Sequence, residues 1–359
     1  MSKKTVALIF GGRSSEHEVS RTSVTMVIDN IDREKYDVVL LGITKSGEWY
    51  LYEGDTALIK TGEWEKTDRL TKAFISPDVS VHGIVALRDG GAELIRVDVA
   101  WPVLHGRNGE DGTMQGLFTL AGIPFVGCGC ASSAVCMDKI LTNIVLEQNG
   151  IPQAKFVWFT ATNWAKDTDK YIAEVESVCG YPCFVKPANA GSSVGVSKCT
   201  NRDELREAVA KAAVHDERLL VEEGIDGMEA ETAVIGNETP HASVVGEIVP
   251  ATEWYDYDAK YNNDDSELHI PARLAPEVIE KIQRRAEKAY SALGCEGLAR
   301  VDFLVRRSDN EPLLNEPNTL PGFTPISMYP KLMEFDGISN TKLIDMLIEL
   351  ALDRAEKQK

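Results

Sequence analysis

Leu298-Ala-Arg-Val-Asp-Phe-Leu-Val305, then Arg306-Arg-Ser-Asp-Asn310, then Glu311-Pro-Leu-Leu-Asn-Glu-Pro-Asn318 is the stretch that decides how this chain is read. Two strand-like runs flank five turn-forming residues, the pattern of a β-hairpin. With the turn centred on Asp309, Asp302 faces Glu316 and Arg300 faces Asn318. Side chains alternate along a strand, and directly opposed residues share a face of the sheet. One face of one hairpin therefore carries Arg300, Asp302, Glu316 and Asn318. Two carboxylates and an amide side by side are hard oxygen ligands of the kind that suits Mg²⁺. An arginine in the same patch suits an anion held by that metal. The plain alternative is a solvated sheet face with ordinary ion pairs. The adjoining Thr319-Leu-Pro-Gly322 resembles a binding turn more than a simple exit and favours the metal reading.

Three further segments are dense in small residues. In Phe184-Val-Lys186-Pro-Ala-Asn-Ala-Gly191-Ser192-Ser193-Val-Gly195, a strand delivers a lysine and small residues then free the backbone to approach a ligand. Backbone N–H groups in such a turn can cradle phosphate oxygens; a plain hairpin turn fits the same residues. Neither the Walker pattern nor the dinucleotide fingerprint is present. In Gly11-Gly-Arg-Ser-Ser-Glu-His-Glu-Val-Ser20 a turn leads into a helix start. Glu16 and Glu18 there either complement the helix dipole, or Glu16 holds a substrate ammonium. His105-Gly-Arg-Asn-Gly-Glu-Asp-Gly112 closes a strand, and its histidine is open to a structural or a catalytic reading.

The order of elements sets the fold class. Strands at 5–10, 36–43 and 97–104, with a helix at 20–30, give an open α/β sheet, whose ligands meet the loops at the strands' carboxyl ends. A helix over 138–148 capped by Asp138, strands at 183–187 and 218–222, and an amphipathic helix at 201–214 form a small α+β unit. Strands near 231–235 and 243–248, a helix over 276–293, the hairpin and a terminal helix over 341–356 complete the chain. The polar, Tyr-rich stretch 253–267 lacks a hydrophobic period and reads as a lid or a disordered loop.

Composition excludes several classes. The 359 residues carry 38 basic against 56 acidic side chains, a net charge of −18. Nucleic-acid backbones and anionic membranes are recognised by clustered Lys and Arg, so both are poor partners for this chain. No run of the roughly 18 apolar residues that a membrane span needs occurs, and the N-terminal apolar run is too short for a signal peptide. Seven cysteines are an odd number and no disulfide framework. Cys128-Gly-Cys130 lacks a second pair at zinc spacing and reads as small buried residues in a turn. Reduced cytosol is the simplest compartment.

Taken together, seven segments match one family in order. They are 11–20, 105–113, Met137-Asp-Lys139, 186–195, Tyr257-Asp-Ala-Lys-Tyr261, Arg300-Val-Asp302 and Asn315-Glu-Pro-Asn-Thr-Leu-Pro-Gly-Phe-Thr324. The chain resembles the D-alanine–D-alanine ligases of the ATP-grasp superfamily. The resemblance implies a mixed α/β fold, with an N-terminal open α/β domain at 1–137, a small ATP-grasp subdomain at 138–226 and a C-terminal ATP-grasp subdomain with the metal site at 227–359. It implies ATP between the last two, its phosphates on Lys139, Lys186 and the loop of Ser193, and its adenine and ribose near Glu222 and Glu229. Asp302, Glu316 and Asn318 match the ligands of two Mg²⁺ (or Mn²⁺) ions. Arg300 and the Gly322 N–H resemble oxyanion partners. Glu16 matches the group that takes the first substrate's ammonium, with Ser192 and Tyr261 as its hydrogen-bonded partners. Lys260 and Ser327 resemble the groups that take the second substrate's carboxylate, His105 matches a substrate-site histidine, and 253–267 matches a lid that excludes water. Tyr261 disfavours D-lactate as second substrate. Met328, where D-serine relatives tend to carry arginine, suits a methyl group. The expectation is therefore ligation of two D-alanines through an acylphosphate, with D-serine use, or another ATP-grasp carboxylate–amine ligase, as alternatives. A nucleotide-binding regulator built on a degenerate ligase is disfavoured by the complete metal set. A cytoplasmic homodimer is the family expectation, with no nucleic-acid or membrane partner.

Overall fold

Val6 to Phe10 are fully buried, and a strand apolar on both faces needs cover on both. It becomes β1 (Lys4–Gly11) of a seven-stranded sheet. The computed structural model describes residues 3–191, 194–249 and 267–358. β1 runs parallel to β2 (Tyr36–Ile43), reached through the crossover helix α1 (His17–Asn30). The sheet continues antiparallel through β3 (Trp49–Tyr52), β4 (Leu70–Ile75), β5 (Gly83–Arg88) and β6 (Gly91–Arg96). β7 (Val99–Pro102) then lies parallel to β1 on its other side. The chain thus leaves β1 toward β2 while β7 flanks the opposite edge, so the loops after β1 and β7 meet at a switch point. Gly11 makes that exit possible. Its φ is +86°, and a Cβ there would lie 2.1 Å from the Ile43 carbonyl oxygen. The sequence predicts β1, α1 and β2 within three residues. It leaves β3 to β6 unread, because they are short and partly polar and β6 is almost wholly exposed.

Helices α2 (Ala57–Thr61), α3 (Thr113–Ala121) and α4 (Cys130–Met137) complete this part. α5 (Lys139–Gln148) starts where predicted: the Asp138 carboxylate accepts from the N–H groups of Ile140 and Leu141, both at 3.0 Å. A four-stranded antiparallel sheet follows, from β8 (Phe156–Thr160), β9 (Cys183–Pro187), β10 (Ser197–Cys199) and β11 (Arg218–Glu223), in the order β10-β9-β11-β8. It packs on α6 (Ala161–Lys166), α7 (Thr168–Val178) and α8 (Arg202–Ala212). Of these, β8, β10, α6 and α7 are absent from the sequence reading.

The last sheet is antiparallel, in the order β14-β13-β12-β15-β16. Its strands are β12 (Gly227–Gly236), β13 (His241–Val249), β14 (Glu267–His269), β15 (Gly297–Arg306) and β16 (Glu311–Asn318). α9 (Pro276–Ala292) covers the face of Ala230, Val234, Ala299 and Val301. α10 (Met328–Phe335) and α11 (Asn340–Lys357) pack with Ala233, Ile235 and Leu298 of the other face, in one cluster with Val6, Leu8 and Phe10 of β1. The first and last sheets therefore share a core, and that core holds the loops of one against the strands of the other.

Arg354 of α11 pins the same junction. It is 7% exposed, donates to the carbonyls of Gly127 at 2.6 Å and Phe125 at 2.7 Å, and lies over the Phe125 ring at 4.4 Å. Arg354→Ala leaves two buried carbonyls without their charged donor and is expected to cost about 2–4 kcal/mol in chemical denaturation. Arg206→Ala, which breaks the exposed pair with Asp169, is expected to cost less than about 1 kcal/mol.

Candidate active site

In the β15–β16 hairpin, Arg300 pairs with Asn318 and Asp302 with Glu316, as the sequence predicts. The route differs from the expected symmetric turn. Nearer the tip Arg306 pairs with Glu311 and Phe303 with Leu314, and the register shifts between Asp302 and Phe303. Without that irregularity Asn315 would oppose Asp302 and Glu316 would point to the other face. The shift brings Glu316 to the side of Asp302 and Asn318.

β12 on the opposite flank of β15 adds a carboxylate that sequence reasoning missed. Glu231 pairs with Asp302, so Glu231, Asp302 and Glu316 form a row across three strands. Arg300 neutralises much of it. Its Nε lies 2.9 Å from Glu231 Oε2, and its fork donates to both oxygens of Asp302 at 2.7 Å. Asn318 Nδ2 also donates to Asp302, at 2.9 Å. Burial works against the arginine's charge, but Asp302 and Glu231 outweigh it and hold the guanidinium well above its ordinary pKa. The signal for Glu231 was its alternation with Glu229 and Ala233, which is legible only once β12 is known to pair with β15.

The lysines arrive from the middle unit, Lys139 at the start of α5 and Lys186 on β9. Lys139 Nζ lies 3.6 Å from Glu316 Oε2 and donates to the Ala190 carbonyl at 2.9 Å. Lys186 Nζ lies 2.5 Å from Glu222 Oε2, whose other oxygen accepts from Asn143 Nδ2 at 2.9 Å. Burial opposes the charge of Lys186, yet Glu222 raises its pKa overall. Glu229, two residues before Glu231 on β12, faces the same way. Among the described residues no group of three His, Cys, Asp or Glu side chains is arranged to hold a metal. The oxygen chemistry of Asp302, Glu316 and Asn318 nevertheless fits a hard divalent ion, with Arg300 as the group that Asp302 would exchange for it.

The loops of the first sheet close the other side. Glu16 is 7% exposed and its N–H donates to Ser14 Oγ at 3.1 Å. A Cβ on Gly106 would stand 2.5 Å from Glu16 Oε2, and one on Gly191 3.6 Å from it. The carboxylate therefore lies between the loop after β7 and the glycine-rich loop after β9. Glu110, quoted within its segment but given no role in the sequence reading, accepts from the Gly106 N–H at 2.9 Å. Burial first, then the charge of Glu16, push its pKa up to about 8, while Arg300 draws it down.

His105 has both ring nitrogens engaged: Nε2 with Ser23 Oγ at 2.9 Å and Nδ1 with the Leu320 carbonyl at 3.1 Å. Burial lowers its pKa. Gly322 lies in the loop it touches, where a Cβ would sit 2.7 Å from Ser327 Oγ. Ser327 receives the Thr324 N–H at 3.0 Å and precedes α10. Met328, expected to line the substrate site, follows Ser327 at the start of α10. It is 5% exposed and belongs to the shared core, with its thioether against Gly246 of β13. Ser192, Ser193, Lys260 and Tyr261 lie outside the described residues, as does the expected lid except for Glu267, which opens β14.

Comparison with known proteins agrees with this architecture. The family described as D-ala D-ala ligase N-terminus matches residues 5–128, and D-ala D-ala ligase C-terminus matches residues 145–349. The D-alanine–D-alanine ligase of Ruminiclostridium cellulolyticum is 51% identical over 99% of this chain and 97% of its own length. That of Acetivibrio thermocellus is 49% identical over 98% and 96%. Among solved structures, the VanG D-Ala:D-Ser ligase from Enterococcus faecalis is 41% identical with a TM-score of 0.89, over 98% of this chain and all of that one. The D-alanine–D-alanine ligase from Coxiella burnetii is 33% identical with a TM-score of 0.86, over 100% and 96%. The fold is thus the α/β ATP-grasp arrangement expected from the sequence, and the chain belongs to the D-alanine–D-alanine ligase family.

Proposed function

We propose that this chain uses ATP to join two molecules of D-alanine into D-alanyl-D-alanine, a peptidoglycan precursor, through a D-alanyl phosphate. The observation that carries the reading is the approach of Lys139 to Glu316. It sets cations suited to phosphate against a hairpin face suited to a hard metal, with Arg300 beside both. In the first step a carboxylate oxygen of D-alanine attacks the γ-phosphorus of ATP, the bond to the β–γ bridging oxygen breaks, and ADP leaves. Such transfer depends on positioning and charge neutralisation, which Lys139 and Lys186 provide. Mg²⁺ held by Asp302, Glu316 and Asn318 would supply further neutralisation of the polyphosphate. In the second step the amine of another D-alanine attacks the acyl carbon, and phosphate departs as the tetrahedral intermediate collapses. Arg300 and the Gly322 N–H take the charge on its oxygen, and Ser327 with Lys260 takes the second carboxylate.

Glu16 and Glu110 form the ammonium side. Burial and the neighbouring Glu16 push Glu110 up to about 8, so Glu110 adds little negative charge at neutral pH and Glu16 faces the ammonium. We further propose domain boundaries near 137/138 and 226/227, ATP contacts from Glu222, Glu229 and the loop of Ser193, a Glu16–Ser192–Tyr261 triad, and a cytoplasmic homodimer. No described helix is long and apolar enough to cross a membrane.

A D-serine-using enzyme is the second reading, favoured by the likeness to the VanG structure and by the inward turn of Met328, which removes one argument for a methyl pocket. Incubation with ATP, Mg²⁺ and equal D-alanine and D-serine separates the two. D-Ala-D-Ala is expected as the main product, and predominance of D-Ala-D-Ser overturns that choice. Arg300→Lys keeps the charge but loses the fork, and is expected to lower kcat about 10²- to 10³-fold in the same assay.

Glu110 also sets a pH dependence. Its folded pKa lies above the unfolded value of about 4.3, so the folded state binds the extra proton and stability falls as pH rises between the two. Glu110→Gln lacks this loss. Its stability advantage over the unsubstituted, ligand-free protein should grow from pH 5 to pH 8 and level off above, as read by denaturant titration.

A further inference from the structure

We infer that Ser23 and His105 act as positioning residues, a two-point clamp that aims the backbone N–H of Gly322 at the reacting carbonyl. The inference deepens the ligase reading and rests on it for the role of Gly322. A carbonyl only accepts, so the contact with Leu320 puts the imidazole proton on Nδ1. Nε2 of the neutral ring then accepts the Ser23 hydroxyl proton. The same hydroxyl oxygen accepts the Phe323 N–H at 3.3 Å. Every direction in the chain is thereby fixed: His105 grips the loop at Leu320, Ser23 grips it at Phe323, and Pro321-Gly322 lie between the two grips.

The clamp is dry and stiff. Ser23 is fully buried and His105 is 6% exposed. The Phe323 ring packs edge-on against Trp101 at 5.7 Å and, tilted, against Tyr329 at 5.8 Å. Ser23 comes from α1 and His105 follows β7, so the first sheet aims a donor carried by the loop that follows the last one. With both ring nitrogens occupied, His105 acts on the loop rather than on substrate. Misplacing a reacting group by about 1 Å costs on the order of 100-fold in rate, which is the scale on which such a clamp matters.

The test compares the unsubstituted enzyme with Ser23→Ala and Ser23→Thr. Formation of D-Ala-D-Ala by the unsubstituted enzyme is measured first, since its absence would remove the ligase reading whatever the clamp does. For Ser23→Ala, kcat is expected to fall about 10- to 100-fold with KM for D-alanine and ATP within about threefold. Amide hydrogen exchange at Phe323 should accelerate in the same variant, without ligand and with little change in melting temperature. Ser23→Thr, which restores the hydroxyl, should recover most of the lost kcat. Unchanged exchange at Phe323 would overturn the clamp. So would a raised KM for D-alanine at unchanged kcat, because it would make this cluster a substrate contact.

Discussion

The Arg300 guanidinium, held between Glu231 on β12 and Asp302 on its own strand, is the interaction on which the site depends. Three carboxylates in a row across β12, β15 and β16 would repel one another in a partly buried position. One arginine, fixed by bonds to Asp302 and an ion pair to Glu231, makes the arrangement stable without ligands. The same pairing gives the site its responsiveness. Asp302, Glu316 and Asn318 would hold a divalent ion, and Arg300, still paired with Glu231, would then be able to face an anion. Arg300 thus supplies positive charge that this row of carboxylates needs.

Everything else positions partners around that row. The register shift beside Asp302 turns Glu316 onto the shared face, where Lys139 reaches it from the start of α5. The apolar cluster common to β1, α10 and α11 keeps the switch-point loops over the hairpin, and with them Glu16, Glu110 and His105. Arg354 ties α11 to the backbone just before α4. The side chains of the candidate site thus come from the elements of all three sheets, and the fit between them is set by one core and a few directed hydrogen bonds.

Local signals were legible in the sequence and long-range ones were not. Asp138 announced α5 because an N-cap is a short-range event, and the Asp302–Glu316 pairing followed from a hairpin whose strands are neighbours in sequence. That pairing was reached through a symmetric turn, whereas the chain uses a four-residue tip and an irregularity at Asn315. Glu231 was missed because β12 and β15 are separated by β13, β14 and α9. Glu110 was missed because its perturbation comes first from burial and then from Glu16, a partner distant in sequence, and neither is visible locally. Met328 was read from its neighbour Ser327, but only the packing of β13 decides which way the side chain turns.

The proposed chemistry activates a substrate carboxylate with phosphate before an amine attacks it. Isotope transfer tests this most directly: D-alanine labelled with ¹⁸O in both carboxyl oxygens is turned over with unlabelled ATP and Mg²⁺, and the released phosphate is weighed by mass spectrometry. One ¹⁸O in each phosphate is the expected result, since the attacking carboxylate oxygen departs with the phosphoryl group. Phosphate released without label, at a rate matching dipeptide formation, would rule out an acylphosphate intermediate.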